Sequence, residues 1–165
     1  MNQEISPKIR IALYEPRIPQ NTGNIGRTCG AFKITLDLIE PLGFSLDNKF
    51  LKRAGLDYWE YININVHKDY GTFKNSLNKQ RLIGFSKEGG VDLNTIEFKY
   101  DDVLLFGRED IGLTNEVKRE CNILATIPMP GVADEDGNNG IRSLNLSSAS
   151  AIASYTALMN INSSM

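Results

Sequence analysis

The sequence predicts an α/β domain built on a mostly parallel sheet flanked by helices. Three observations carry that expectation. Short β-rich runs alternate with helical segments along the chain, the pattern of strand–helix–strand units. No internal repeat and no linker divides the 165 residues, so residues 1–165 read as a single domain long enough to bury a core. Several strand-like runs stop abruptly at polar or Gly-containing loops, the ends at which parallel sheets bind ligands.

Taken in order, Lys8 to Tyr14 (KIRIALY) is a short buried strand. Pro16 and Pro19 force an extended loop after it. In Asn21 to Phe32, Asn21 and Thr22 are good helix caps, and Ile25, Cys29 and Phe32 make an apolar stripe. Asn24 and Arg27 share another part of the surface, and the glycines permit close approach of a backbone or ligand. Thr35 to Ile39 is a second strand, stopped by Pro41 and Gly43. Asp47 to Gly55 reads as a short helix carrying Lys49, Lys52 and Arg53. Tyr61 to Val66 is a third strand. Asp69 caps a helix reaching Leu77. Arg81 to Phe85 is a fourth strand and Val103 to Phe106 a fifth. Thr114 opens a short helix ending near Glu120, and Ile123 to Ile127 is a sixth strand.

The stretch from Ile127 to Tyr155 organises the rest. A long Gly- and Asp-rich loop leads into a small-residue helix over about Asn145 to Met159, followed by a loose tail. Leu146, Ala149, Ala153 and Ala157 (or Ile152) recur at helical spacing. Ser143 or Asn145 caps that helix, since a short side-chain oxygen accepts from the orphan N–H groups of the first turn.

Composition excludes several classes. There is no run of eighteen apolar residues to span a bilayer, and the N-terminal MNQEISPKIR lacks the apolar stretch of a signal peptide. Two cysteines fit a reducing cytosol, and with one histidine they argue against a zinc site. A net charge of −2 argues against a general nucleic-acid coat protein, although residues 1–53 carry 8 Lys/Arg against 5 Asp/Glu. That basic half faces a polyanion or reflects chance clustering.

Three strand ends run straight into polar loops: Phe85-Ser86, Phe106-Gly107-Arg108-Glu109 and Ile127-Pro128-Met129. A site built from those loops is the structural expectation. Neither GxxxxGK[ST] nor a GxGxxG after a strand is present, so the usual phosphate loops are not supported. Strand-end backbone groups beside Phe85, Ile127, Met129 and Leu144 suit an adenine-containing small molecule.

Three blocks also stand in a telling order: PQNTGNIGRTCGAF (19–32), LLFGREDIGLTNE (104–116) and IPM…IRSLNLSSASAIASY (127–155). With YEPRIP and KRAGLDYWEY (52–61), they make the chain resemble the SPOUT (SpoU/TrmH-type) RNA methyltransferases over nearly its whole length. It looks like the TrmL/YibK branch, the tRNA wobble-nucleotide 2′-O-methyltransferases. The resemblance implies a C-terminal trefoil knot, which ordinary topology rules exclude and the strand pattern does not foretell. It implies S-adenosylmethionine bound in the knot loops, with S-adenosylhomocysteine as product and no metal. A cytoplasmic homodimer acting on tRNA, with its active site near the interface, follows from the same likeness.

Matched residue by residue, Phe85, Gly107, Ile127 and Ser143 contact the cofactor, and Met129 and Leu144 line its pocket. Arg27 is the motif arginine placed at the ribose 2′-hydroxyl. A guanidinium stays protonated, so it suits holding the adjacent phosphate and stabilising a developing alkoxide better than acting as a free base. Asn21 and Asn24 order the loop or bind the ribose. Asn145 joins Arg27 and Asn21 as the catalytic set, shaping the catalytic face with Ser143. Glu109 orders a loop or contacts substrate. Lys49, Lys52 and Arg53 are a solvated face or phosphate contacts, and Tyr58, Trp59 and Tyr61 are core or base-stacking groups. Tyr155 fits interface packing, and His67 shows no partner. Asp134, Glu135 and Asp136 lie in a 130–140 loop longer than the family's, which folds away or acts as a lid.

The expected activity is therefore methyl transfer to the ribose 2′-hydroxyl of tRNA position 34, cytidine or uridine. FGREDIGLTNE also resembles the branch that methylates position 32, so another tRNA or rRNA nucleotide stays open. A non-catalytic RNA-binding knot protein and a small-molecule methyltransferase are the rivals from other classes.

Overall fold

The computed structural model describes residues 8–163 except 48, 50, 52, 54–58 and 134–138. Seven strands form one sheet: β1 (Ile9–Tyr14), β2 (Thr35–Ile39), β3 (Ile64–His67), β4 (Leu82–Phe85), β5 (Val91–Asp92), β6 (Asp102–Phe106) and β7 (Ile123–Thr126). Their order is β3-β2-β1-β6-β4-β7-β5, and every pairing is parallel. Fully described helices are α1 (Pro19–Phe32), α2 (Tyr70–Ser76), α3 (Asn115–Glu120) and α4 (Leu146–Ser163), with 3₁₀ turns at Trp59–Tyr61 and Leu93–Thr95.

Strand alternation sorts side chains onto two faces. Ile9, Ile11 and Leu13 of β1, with Leu104 and Phe106 of β6, pack beneath Ile25 and Cys29 of α1 and Ala153, Ala157 and Ile161 of α4. Ala12, Val103 and Leu105 face the other way, against Phe73 of α2 and Val117 of α3. The central strands are buried on both sides, so they read as continuous apolar runs. The stripe along α4 runs through Ala153 and Ala157, while Ile152 is exposed. Small side chains there let the helix lie close over β1 and β6.

Asp69 and Thr114 cap α2 and α3 as expected, accepting from the N–H groups of Thr72 at 2.7 Å and Val117 at 3.3 Å. Four readings are corrected. The helix α1 starts two residues before Asn21, with Ile18 as N-cap and no side-chain cap bond. Pro19 suits the first turn because its missing N–H is an orphan there anyway, and Asn21 and Thr22 turn inward instead. The third strand begins at Ile64, after the turn over Trp59–Tyr61. The short β5 was too brief to carry a period. The tail expected to be loose continues α4 to Ser163.

His67 does have a partner. Its Nε2 lies 2.8 Å from Oδ1 of the buried Asp37, which also accepts from Arg10 Nε (2.9 Å), Arg10 Nη2 (2.6 Å) and Asn65 Nδ2 (3.3 Å). A carboxylate with no solvent exposure needs such compensation, and this one ties β1, β2 and β3 together. Trp59 takes the core reading: a Cβ on Gly26 would stand 2.9 Å from its Cζ3, so the close approach allowed by that glycine is made by an indole. Tyr61 is exposed. Tyr58 and Lys52 lie outside the described residues, as do Asp134, Glu135 and Asp136. Lys49 and Arg53 are helical and exposed, on either side of the buried Leu51.

Candidate active site

A cavity of about 740 Å³ opens beyond the carboxyl ends of β6, β4 and β7, three adjacent strands. Phe85 and Phe106 form its base, their rings stacked at 4.6 Å and 11°. Ile127, Met129 and Leu144 add apolar wall, and Gly107 and Ser143 also line it. The three strand-end loops therefore meet as expected, and all six residues matched to the cofactor surround one space. The volume falls within the roughly 300–1,000 Å³ of small-molecule sites.

The loop after β6 is shaped by its backbone. The Arg108 N–H donates to the Gly112 carbonyl at 3.2 Å, and the Gly112 N–H donates back at 2.8 Å. Gly112 takes φ +69°. A Cβ on Gly107 would stand 2.2 Å from Gly112 C and 2.3 Å from Leu113 N, so this position admits only glycine.

Polar groups join the loops along one edge. The Glu109 carboxylate accepts from the backbone N–H groups of Arg17 (2.8 Å) and Ile18 (3.0 Å), and from Asn21 Nδ2 (3.4 Å). Asn145 Nδ2 donates to Asn21 Oδ1 at 3.0 Å. Asn145 Oδ1 accepts from the N–H groups of Ser147 (2.9 Å) and Ser148 (3.4 Å), so Asn145, rather than Ser143, caps α4. One chain of contacts thus links the start of α1, the β6 loop and the start of α4. Glu109 sits in it as a loop-ordering group, its oxygens taken up by protein N–H.

Charged residues the sequence reading had not singled out complete the rim. Arg108 holds Asp110 through Nε (2.9 Å) and Nη2 (2.6 Å), and this guanidinium holds the carboxyl down at about 2. Arg142 donates to the Asp110 carbonyl, and Lys87 Nζ donates to the Arg142 carbonyl at 3.4 Å. Arg142 stands directly before Ser143, so its place in the third block was the available signal.

Arg27 and Asn24 do not line this cavity; both lie on the exposed face of α1. Arg53 is likewise outside it. Tyr155 is exposed on α4, its ring 6.2 Å from that of Phe32. Among the described residues, no helix is long and apolar enough to cross a membrane.

Comparison with known proteins places this geometry. The model of the SpoU rRNA Methylase family matches residues 8–155. A tRNA (cytidine(34)-2′-O)-methyltransferase of Methylovorus glucosotrophus is 42% identical over 147 residues, covering 89% of this chain and 92% of the relative. A solved structure concerned with the 2-OH methylation of C/U34 on tRNA is 40% identical, with a TM-score of 0.86, over 94% of this chain and 97% of its own. An AdoMet-bound rRNA methyltransferase from Sinorhizobium meliloti is 29% identical, with a TM-score of 0.79, over 94% of this chain and 59% of its own. The family model and these relatives each span most of this chain, and the chain belongs to the SpoU rRNA methylase family.

Proposed function

We propose that this chain transfers a methyl group from S-adenosylmethionine to the ribose 2′-hydroxyl of the tRNA wobble nucleotide, cytidine or uridine 34. The observation that carries the reading is the cavity itself. An aromatic stack and apolar walls lie at the ends of three parallel strands, with the Asn21–Asn145–Glu109 chain along one edge. Relatives near 40% identity that carry out this reaction supply the position.

The residues fit the cofactor. Phe85, Ile127, Met129 and Leu144 offer apolar surface to an adenine, while Gly107 and Ser143 bring backbone and hydroxyl groups to the same space. Bound there, S-adenosylmethionine supplies an electrophilic methyl on a sulfonium. The protein aligns the acceptor oxygen with it. In the proposed reaction Asn21 and Asn145, each fixed by a second hydrogen bond, orient the ribose. Arg27 and Asn24 form a polar outer face of α1 for the RNA, with Arg27 holding phosphate and steadying the developing alkoxide. Arg53 adds phosphate contact from outside, and Lys52 is assigned with it.

The proposal includes one domain over residues 1–165, the family's trefoil knot in the segment after β6, a cytoplasmic homodimer, and an active site near its interface. The contact between Arg142 and the Asp110 carbonyl joins the loop after β6 to the segment before α4.

Labelled S-adenosylmethionine with tRNA from cells lacking this activity, followed by nuclease digestion and nucleoside mass spectrometry, tests the reading. A 2′-O-methylated nucleoside at position 34 is expected. Label at position 32 moves the protein to the neighbouring branch, and no transfer to any RNA overturns the reaction. Arg27→Ala is expected to lose turnover while keeping S-adenosylhomocysteine affinity.

A further inference from the structure

We propose that Ile18 and Ile111 form an apolar lip at the cavity mouth that receives the nucleobase of the nucleotide being methylated. This rests on the methyl-transfer reading above. Both side chains line the cavity, yet Ile111 is 61% exposed and Ile18 43% exposed. Their neighbours on the rim are largely charged or polar, among them Lys87, Asp110 and Arg142.

The backbone holds both residues out. Ile111 sits in the loop closed by the paired Arg108–Gly112 hydrogen bonds, and its own N–H donates to Asp110 Oδ1 at 3.0 Å. Asp110 is pinned in turn by Arg108. Ile18 is the N-cap of α1, and its N–H is held by Glu109 Oε1. Glu109 therefore belongs to the loop that carries Ile111 and also anchors Ile18. Two stiff β-branched side chains are mounted at fixed places beside the site, with little among the described residues to cover them.

The chemistry of the acceptor names the occupant. In a ribonucleotide the base is attached to C1′, next to the carbon that bears the reacting hydroxyl. When that hydroxyl enters the cavity, the base must lie at its mouth. Proteins that read single-stranded RNA loops splay the bases out of the stack, and an isoleucine side chain offers the face of such a base apolar contact area, though no plane to stack on. Isoleucine has no donor or acceptor, so the lip holds a base without reading its edge. Cytosine and uracil are then held alike, because apolar contact discriminates poorly between isosteres.

The test uses Ile18→Ser, Ile111→Ser and Ile111→Val in the full chain, on tRNA transcripts with cytidine or uridine at the wobble position. S-adenosylhomocysteine affinity is measured by calorimetry and oligomeric state by sedimentation. Each Ser variant is expected to raise KM for both tRNAs by about tenfold, with kcat, cofactor affinity and sedimentation unchanged. Ile111→Val is expected to raise KM by less than about threefold. Four results would overturn the lip. Unchanged KM in the Ser variants removes its role. A loss confined to cofactor affinity assigns the side chains to the cofactor. Shifted sedimentation assigns them to contact with a second copy. Failure of the wild-type chain to methylate either tRNA removes the underlying reaction as well, and is distinguished by appearing without any substitution.

Discussion

Replacing Glu109 by alanine should loosen the start of α1 and the site edge together. The carboxylate takes two short backbone hydrogen bonds, from Arg17 at 2.8 Å and Ile18 at 3.0 Å, and a longer one from Asn21 at 3.4 Å. No side chain of α1 caps that helix; Glu109 instead holds the N-cap N–H and the one before it from another loop, fixing the chain's entry into the helix. Hydrogen bonds to charged groups contribute about 1.5–3 kcal/mol each, and losing a helix cap costs about 0.5–2 kcal/mol. Ile18 is 43% exposed, so water recovers part of the loss and the cap figure is the better guide. The loss expected is about 2 kcal/mol, which lowers Tm by roughly 4–8 °C for a chain of this size. Glu109→Gln keeps one carbonyl oxygen and should lose about half as much. Thermal melts of both variants, with kcat and S-adenosylhomocysteine affinity measured alongside, check this. Freed from Glu109, Asn21 should let kcat fall more than cofactor affinity. An alanine variant that melts with the wild type but loses tRNA affinity would refute the reasoning and make Glu109 a direct substrate contact.

Three further outcomes follow from other parts of the molecule. Gly107→Ala places a Cβ 2.2 Å from Gly112 C, so the β6 loop must deform. S-adenosylhomocysteine affinity, read by calorimetry, should fall at least about tenfold, the equivalent of roughly 1.4 kcal/mol. Asp37→Ala removes the acceptor shared by Arg10, Asn65 and His67. Urea unfolding should show a loss of about 3–5 kcal/mol, the scale for breaking a buried ion pair from one side. Burial pushes the Cys29 thiol up to about 12 and the Cys121 thiol up to about 11. Both should resist a thiol reagent at pH 8 in the native state and react in denaturant. Because the folded state holds these protons more tightly than the unfolded one, their effect on stability is absent below pH 9. It becomes a progressive loss as pH rises from 9 towards 11 and 12.

What the sequence made legible and what it hid divide along physical lines. Strands such as Thr35–Ile39 and Asp102–Phe106 are buried on both faces and rich in large aliphatic side chains, and local composition suffices to find them. The caps at Asp69 and Thr114 are equally local, each satisfied within three residues. The cavity was legible because the three strand-end loops interrupt apolar runs with Gly and polar residues. The start of α1 was not: the residues that lead into it are held by Glu109, more than ninety residues away, and no local pattern encodes that. The same holds for His67, whose partner Asp37 belongs to another strand. The pairing of Asn21 with Asn145 across 124 residues could be anticipated only through the order of the three blocks.

The position of Arg27 constrains how the proposed reaction is assembled. Asn21 faces the cavity and is buried, whereas Arg27 is exposed. Six residues along an α-helix amount to about 9 Å of rise and about 120° of net rotation, so the two side chains leave α1 in different directions. A ribose held at Asn21 therefore does not present its phosphate to Arg27 of the same chain by default. Either the RNA backbone wraps round α1 to reach it, or a second copy brings its own α1 face to this cavity. The proposed homodimer would meet the second condition if its packing set the α1 face of one copy against the cavity of the other. Mixing Arg27→Ala chains with Gly107→Ala chains separates the two routes. If Arg27 serves its partner's cavity, a mixed dimer regains one complete site and activity rises above either parent. If Arg27 serves its own chain, each mixed protomer lacks one essential group and no activity returns.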